Sequence, residues 1–264
     1  MIHTFYGFSQ TPFAKDIPAQ ELLSTEAFAE LARRLDYMRT RLGLMLVLGE
    51  AGTGKTAAVR AFVEQLNASV YKLFYVPLST VTPLDFWAQL NSEFGGQPSG
   101  RKSTLFRNLQ TAVRDYVENA KKTPLLVLDE AQCLPDKTLD EIPMLLNFRM
   151  DSIDPMLMIM IGHPDLGRRL QRPMFRNIHQ RILLSYKLSP LNEAETKDYV
   201  CHHLKLAGAK PEIFTDSAYL ALYKTSGGVC RLLNRLCLAA LNRGVLQQKA
   251  TLDEEDIYQA SDEL

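Results

Sequence analysis

Five short apolar runs punctuate the first two-thirds of the chain: Leu42–Gly49, Val70–Leu78, Pro124–Leu128, Met156–Gly162 and Ile182–Leu188. They are nearly continuous rather than alternating, the pattern of strands covered on both faces of a parallel sheet. Helical spacing fills the gaps. Thr25–Thr40 places Phe28, Leu31, Leu35 and Met38 on one side. Thr56–Leu66, Pro83–Phe94 and Thr104–Ala120 are the next predicted helices, the second with a proline suited to a first turn. "GGQPSGRKS", Gly95–Ser103, reads as a loop. After Pro190 the apolar runs stop. Asn192–Ala207, Thr215–Lys224, Val229–Gln247 and Leu252–Asp262 read as helices, separated by breakers that include "TSGG", Thr225–Gly228. The expected architecture is α/β, a parallel five-stranded sheet flanked by helices over residues 1–189. A small all-helical domain follows over residues 190–264.

Composition narrows the classes. The 264 residues carry 30 Lys+Arg against 30 Asp+Glu, so a polybasic protein is excluded, while a local basic stripe is not. The cysteines, Cys133, Cys201, Cys230 and Cys237, fit neither a zinc spacing nor a disulfide framework, as expected of reduced thiols in the cytoplasm. No run approaches the ~20 apolar residues of a membrane span, and "MIHTFYGFSQ" lacks a signal pattern, so no membrane association is expected.

"GEAGTGKT" joins the first predicted strand to a predicted helix and matches the P-loop pattern G-x-x-x-x-G-K-[ST]. Its glycines Gly49, Gly52 and Gly54 let the backbone wrap a phosphate, with Glu50, Ala51, Thr53 and Ala57 supplying further amides beside a helix N-terminus. Lys55 is expected on the β- and γ-phosphates and the Thr56 hydroxyl on Mg²⁺. "LLVLDEAQ", Leu125–Gln132, delivers Asp129 at the carboxyl end of a strand, where ligands of open α/β sheets bind. Asp129 is the expected second Mg²⁺ holder and Glu130 the expected general base for the attacking water. ATP and Mg²⁺ are therefore the expected cofactors.

The order P-loop, intervening strand, Asp-Glu, polar strand end and helical lid resembles the AAA+ ATPases. That resemblance implies a polar sensor at the end of the fourth strand, where His163 stands in "IGHPDL"; a histidine that merely caps the next helix is the alternative. It implies an arginine finger before the fifth strand, matched by Arg181 in "HQRIL", with Arg176 as the other candidate. It also implies a lid arginine on phosphate, matched by Arg231 in "TSGGVCRLLNRL", with Arg235 on the same helical face.

Within that class "FYGFSQTPFAKDI", "GHPDL", "QRI" and "SGGVCRLLNRL" resemble the ExeA-like group and its transposition relatives of the TnsC, TniB and MuB kind. In the secretion branch of that group the ATPase is followed by a membrane span and a cell-wall-binding region. This sequence ends at Leu264 with neither, which favours the transposition branch. The resemblance then implies an ATPase that assembles as a ring or helical filament on duplex DNA and recruits a transposase to its target. Loops after the second strand and between its helices would line the DNA, offering Thr80, Thr82, Arg101, Lys102, Ser103 and Thr104 to backbone phosphates with little sequence preference. A cytosolic ATPase of a type II secretion accessory system and an NTPase switch in signalling or defence are the alternatives.

Overall fold

The computed structural model describes residues 2–77, 82–150 and 152–264. In chain order its elements are α1 (Ile2–Tyr6), α2 (Glu26–Arg41), β1 (Gly43–Leu48), α3 (Lys55–Glu64), β2 (Tyr71–Pro77), α4 (Pro83–Glu93) and α5 (Lys102–Arg114). There follow β3 (Thr123–Asp129), α6 (Asp136–Leu139), β4 (Leu157–Gly162), α7 (Pro164–Leu170), α8 (Arg176–His179) and β5 (Ile182–Lys187). The last four helices are α9 (Glu193–Leu206), α10 (Asp216–Ser226), α11 (Cys230–Leu246) and α12 (Glu254–Ser261).

All five strands are parallel, in the order β2-β3-β4-β1-β5. The three inner strands are buried at almost every position, which is why their sequence is continuously apolar. Met45, Val47, Leu125, Val127, Ile159 and Ile161 face one side and pack with α2 and α3 through Leu31, Leu35, Met38, Val59 and Phe62. Leu44, Leu46, Leu126, Leu128, Met158 and Met160 face the other, against Phe86, Trp87 and Leu90 of α4 and Leu105, Leu109 and Val113 of α5. The edge strands β2 and β5 alternate instead.

Two expected boundaries move. The loop expected over Gly95–Ser103 ends earlier, because α5 starts at Lys102. Its first turn is held by an ion pair from Lys102 to Glu141, whose other carboxylate oxygen accepts from Trp87 Nε1 at 2.7 Å. Lys102 and Ser103 are thus helical residues, not loop residues, Thr104 lies inside the helix's first turn rather than at its start, and Arg101 is the N-cap. The predicted helix over Thr104–Ala120 likewise changes character, its last turn widening over Asp115–Asn119.

The compact units do not divide at one point in the chain. Residues 28–49 and 55–188 form the α/β unit, whereas residues 1–27 and 50–54 join residues 189–264. The core of this second unit holds Val200, Leu204, Leu222, Leu233, Leu236 and Cys237, with Phe8 and Phe13 from the N-terminal segment buried among them. Ser9 N–H donates to Ala207 O at 2.8 Å, and Tyr6 Oη donates to Lys249 O at 2.9 Å. A Cβ on Gly208 would lie 2.6 Å from Ser9 Oγ, and one on Gly244 2.1 Å from Tyr6 Oη. The N-terminal segment was expected in the α/β domain; two buried aromatics without helical or strand periodicity tie it to the helices instead.

His203 of α9 is 5% exposed and stacks on Phe13, ring centroids 5.2 Å apart. Burial, with a smaller contribution from His202, pushes its pKa down to about 4. A histidine whose pKa is lower folded than unfolded binds more protons unfolded. Its contribution is therefore complete above the unfolded value of about 6.5 and is lost as pH falls from there towards 4, at roughly 1.4 kcal/mol per pKa unit. Urea midpoints between pH 4 and 7 should fall more steeply for the unaltered chain than for His203→Phe. Parallel curves would remove His203 from this role.

Candidate nucleotide site

In the α/β unit the carboxyl ends of β1, β3 and β4 meet. Gly49 N–H donates to Gly162 O at 3.2 Å, fixing the end of β1 beside that of β4. Asp129, a residue 6% exposed, closes β3. Its Oδ2 accepts from Thr56 Oγ1 and from Tyr75 Oη, each at 2.9 Å, and its Oδ1 accepts from the Glu130 N–H at 2.9 Å. Lys55 Nζ folds back onto Gly49 O at 2.8 Å. Burial and the bond to Asp129 push the Tyr75 pKa up to about 12, so that hydroxyl stays a donor. Tyr75 was missed in the sequence, where it is one aromatic in an edge strand.

This geometry suits a nucleotide with its cation. Thr56 and Asp129 present oxygens of the hard-cation type within hydrogen-bond distance of each other. Among the described residues no group of three or more His, Cys, Asp or Glu could hold a metal alone, so phosphate and water would complete any such site.

Glu130 has φ +57°, a left-handed backbone that is uncommon for a non-glycine residue and costs of order 1–3 kcal/mol. Its carboxylate is exposed at the turn and accepts from Gln132 Nε2 at 2.5 Å. His163 caps α7: its ring accepts from Asp165 N–H at 3.4 Å and lies 3.3 Å from the Asp165 carboxylate. Arg169 binds Asp136 and donates to Gln132 O and Leu134 O. Arg176 is exposed at the start of α8. Arg181 is half-buried and lines a cleft of about 650 Å³ with Asp140, Asn147, Asp154 and Asn177.

In the second unit, residues 50–54 form a turn in which Thr53 Oγ1 donates to Glu50 O at 2.9 Å. Gly52 and Gly54 have φ +86° and +96°, which side chains other than glycine rarely adopt. Arg231 N–H donates to Gly52 O at 3.1 Å, and a Cβ on Gly52 would lie 2.6 Å from Arg231 Cβ. The lid motif and the loop therefore touch through backbone. The preceding glycines are structural: Gly227 ends α10 at φ +57°, and a Cβ on Gly228 would stand 1.9 Å from Leu191 O. Arg235, the other candidate, donates instead to Leu264 O at 3.2 Å.

Of the residues expected on DNA phosphate, Thr80 lies outside the described residues. Thr82 caps α4, its hydroxyl accepting from Asp85 N–H at 3.2 Å and donating to the Asp85 carboxylate at 2.6 Å. Lys102 is paired with Glu141. Arg101 is exposed at the start of α5.

A family model described as an AAA domain matches residues 38–170. The chain belongs to this family, the P-loop ATPases of the AAA+ class. It is 32% identical over 252 residues to general secretion pathway protein A of Aeromonas hydrophila, a match that covers 92% of this chain and 46% of that protein. The chain thus spans about half the length of that relative. Its fold is similar to that of Cdc6p from Pyrobaculum aerophilum, with a TM-score of 0.75 at 15% identity, covering 95% of this chain and 70% of the other. It is also similar to the Holliday junction branch migration motor RuvB of Thermotoga maritima, with a TM-score of 0.59 at 16% identity, covering 92% and 70%. The secretion relative supports the ExeA-like resemblance, whereas the likeness to transposition regulators rests on the sequence motifs alone.

Lys55→Ala should weaken ATP binding by roughly ten- to a hundredfold, the worth of a charge-assisted hydrogen bond. Glu130→Gln should bind ATP normally and hydrolyse it about 10²- to 10⁴-fold more slowly. Calorimetric titration and phosphate release check both, and equal turnover in Glu130→Gln would remove Glu130 from the role of base.

Proposed function

We propose that this chain is the ATP-hydrolysing module of a protein-secretion accessory system, with nucleotide state governing its association with copies of itself and with protein partners in the cytoplasm. The observation that carries this reading is the 32% identity to general secretion pathway protein A, which runs through 92% of the chain and so includes both compact units. Among the described residues no helix is long and apolar enough to cross a membrane.

In this reading Gly49, Glu50, Ala51, Gly52, Thr53, Gly54 and Ala57 cradle phosphate, and Lys55 neutralises it. Thr56 and Asp129 hold Mg²⁺, which supplies charge stabilisation when bound. Glu130 accepts the proton of the attacking water, His163 acts as the polar sensor, and Arg231 contacts phosphate. Arg181 serves a neighbouring copy's nucleotide, where a fixed cation offsets charge developing on the γ-phosphoryl oxygens.

The second reading is a regulator that assembles on duplex DNA and recruits a transposase, with Arg101, Lys102, Ser103, Thr104, Thr80 and Thr82 on the phosphates. The exposed Arg101 favours it. The existing partners of Lys102 and Thr82 weigh against it, since phosphate would have to displace Glu141 and Asp85. An NTPase switch in signalling or defence has no specific observation in its favour.

Arg181→Ala should retain ATP affinity and lose turnover, and mixing it with Lys55→Ala should restore part of that turnover at mixed interfaces. No recovery in mixtures that do assemble would pass the role to Arg176 or to a group in the same copy. Deleting the gene in its host should reduce export of secreted enzymes, with recovery by the unaltered chain but not by Lys55→Ala. Normal export after deletion, together with ATP-dependent retention on duplex DNA that falls steeply with salt, would replace the secretion reading by the DNA reading.

A further inference from the structure

One side chain joins Glu130 to the end of β4. Gln132 donates from Nε2 to Glu130 Oε2 at 2.5 Å and accepts the His163 backbone N–H at Oε1 at 3.0 Å. The two ends of an amide differ in chemistry, and each here meets the complementary group: a carboxylate that needs a donor and an N–H that needs an acceptor. The two partners together fix which way the amide points. A glutamate at this position would repel Glu130, and a leucine could serve neither partner.

The rest of Gln132 is fixed as well. Its backbone carbonyl accepts from Arg169 Nη1 at 3.2 Å, and the same guanidinium holds Leu134 O at 2.7 Å. Gly162 leaves the room, since a Cβ there would lie 3.1 Å from Gln132 Oε1 and 2.7 Å from Leu166 Cδ2. Glu130 has its backbone set by the left-handed φ of +57° and by its N–H on Asp129 Oδ1. Rotation about its own side-chain bonds is the freedom that Gln132 restricts.

We propose that Gln132 is a positioning residue for ATP hydrolysis: it orients the Glu130 carboxylate and ties that orientation to the end of β4, so that a displacement at His163 reaches Glu130 through one amide. The inference rests on the reading of Glu130 as the general base. A base must lie within hydrogen-bond reach of the proton it takes, and a misplacement of about 1 Å costs on the order of a hundredfold in rate.

The test compares Gln132→Leu and the nearly isosteric Gln132→Glu with the unaltered chain, and measures ATP affinity and single-turnover hydrolysis separately. Both variants should bind ATP within about twofold of the unaltered chain and lose about ten- to a hundredfold in hydrolysis rate, up to the cost of misplacing a reacting group by about 1 Å. In a Glu130→Gln background, adding Gln132→Leu should change the residual rate by less than about twofold, because residues that act as a unit do not add. Unchanged hydrolysis in both Gln132 variants overturns the proposal. So does a full further loss in the Glu130→Gln background, or a loss of ATP affinity in step with rate. If Glu130→Gln itself hydrolyses ATP at the normal rate, the assignment of Glu130 fails first. If Glu130→Gln is slow while both Gln132 variants are normal, only the role of Gln132 fails.

Discussion

A carboxylate buried at the end of a strand is costly unless donors surround it. Asp129 is that carboxylate, and the α/β unit is arranged to supply it. Its donors come from three places: the Thr56 hydroxyl at the start of α3, the Tyr75 hydroxyl on β2, and the backbone of Glu130. One anion thus fixes the first turn of the P-loop helix, the edge strand beside β3 and the left-handed turn that carries Glu130.

The same constraint explains which parts of the site were readable in advance. Lys55, Thr56, Asp129 and Glu130 belong to short patterns whose chemistry requires those residue types at fixed places between strand and helix. The sheet was readable because inner strands buried on both faces must be apolar throughout. Tyr75, Gln132 and Arg169 were not readable, since each acts through a partner far along the chain: 54 residues for Tyr75 to Asp129, 31 for Gln132 to His163 and 37 for Arg169 to Gln132. A side chain whose role is set by folding carries no local pattern.

The N-terminal segment failed for a related reason. Phe8 and Phe13 reach the helical core from a stretch without regular structure, so neither a period of two nor one of 3.6 marks them as buried. Small residues opposite their neighbours are one sequence trace: Gly208 leaves room for Ser9, and Gly244 for Tyr6. Each of those glycines reads in isolation as a helix breaker or a weak helix position.

Charge bears on the two functional readings differently from motif counting. Four adjacent polar residues, Arg101 to Thr104, look like a phosphate-binding loop when their neighbours in space are unknown. In the fold, Lys102 meets Glu141, and Glu141 also receives the Trp87 indole N–H. An ammonium already paired with a carboxylate gains less from a phosphate, because the pair must be broken and the carboxylate left beside the incoming anion. Counterion release, the term that makes weak phosphate contacts add up along a duplex, requires cations that are neutralised only on binding. Arg101 meets that requirement and Lys102 does not, so this surface offers each copy little purchase on a nucleic-acid backbone. A cation that is balanced internally, as Lys102 is by Glu141, suits local matching of opposite charges better than charge spread along a polyanion.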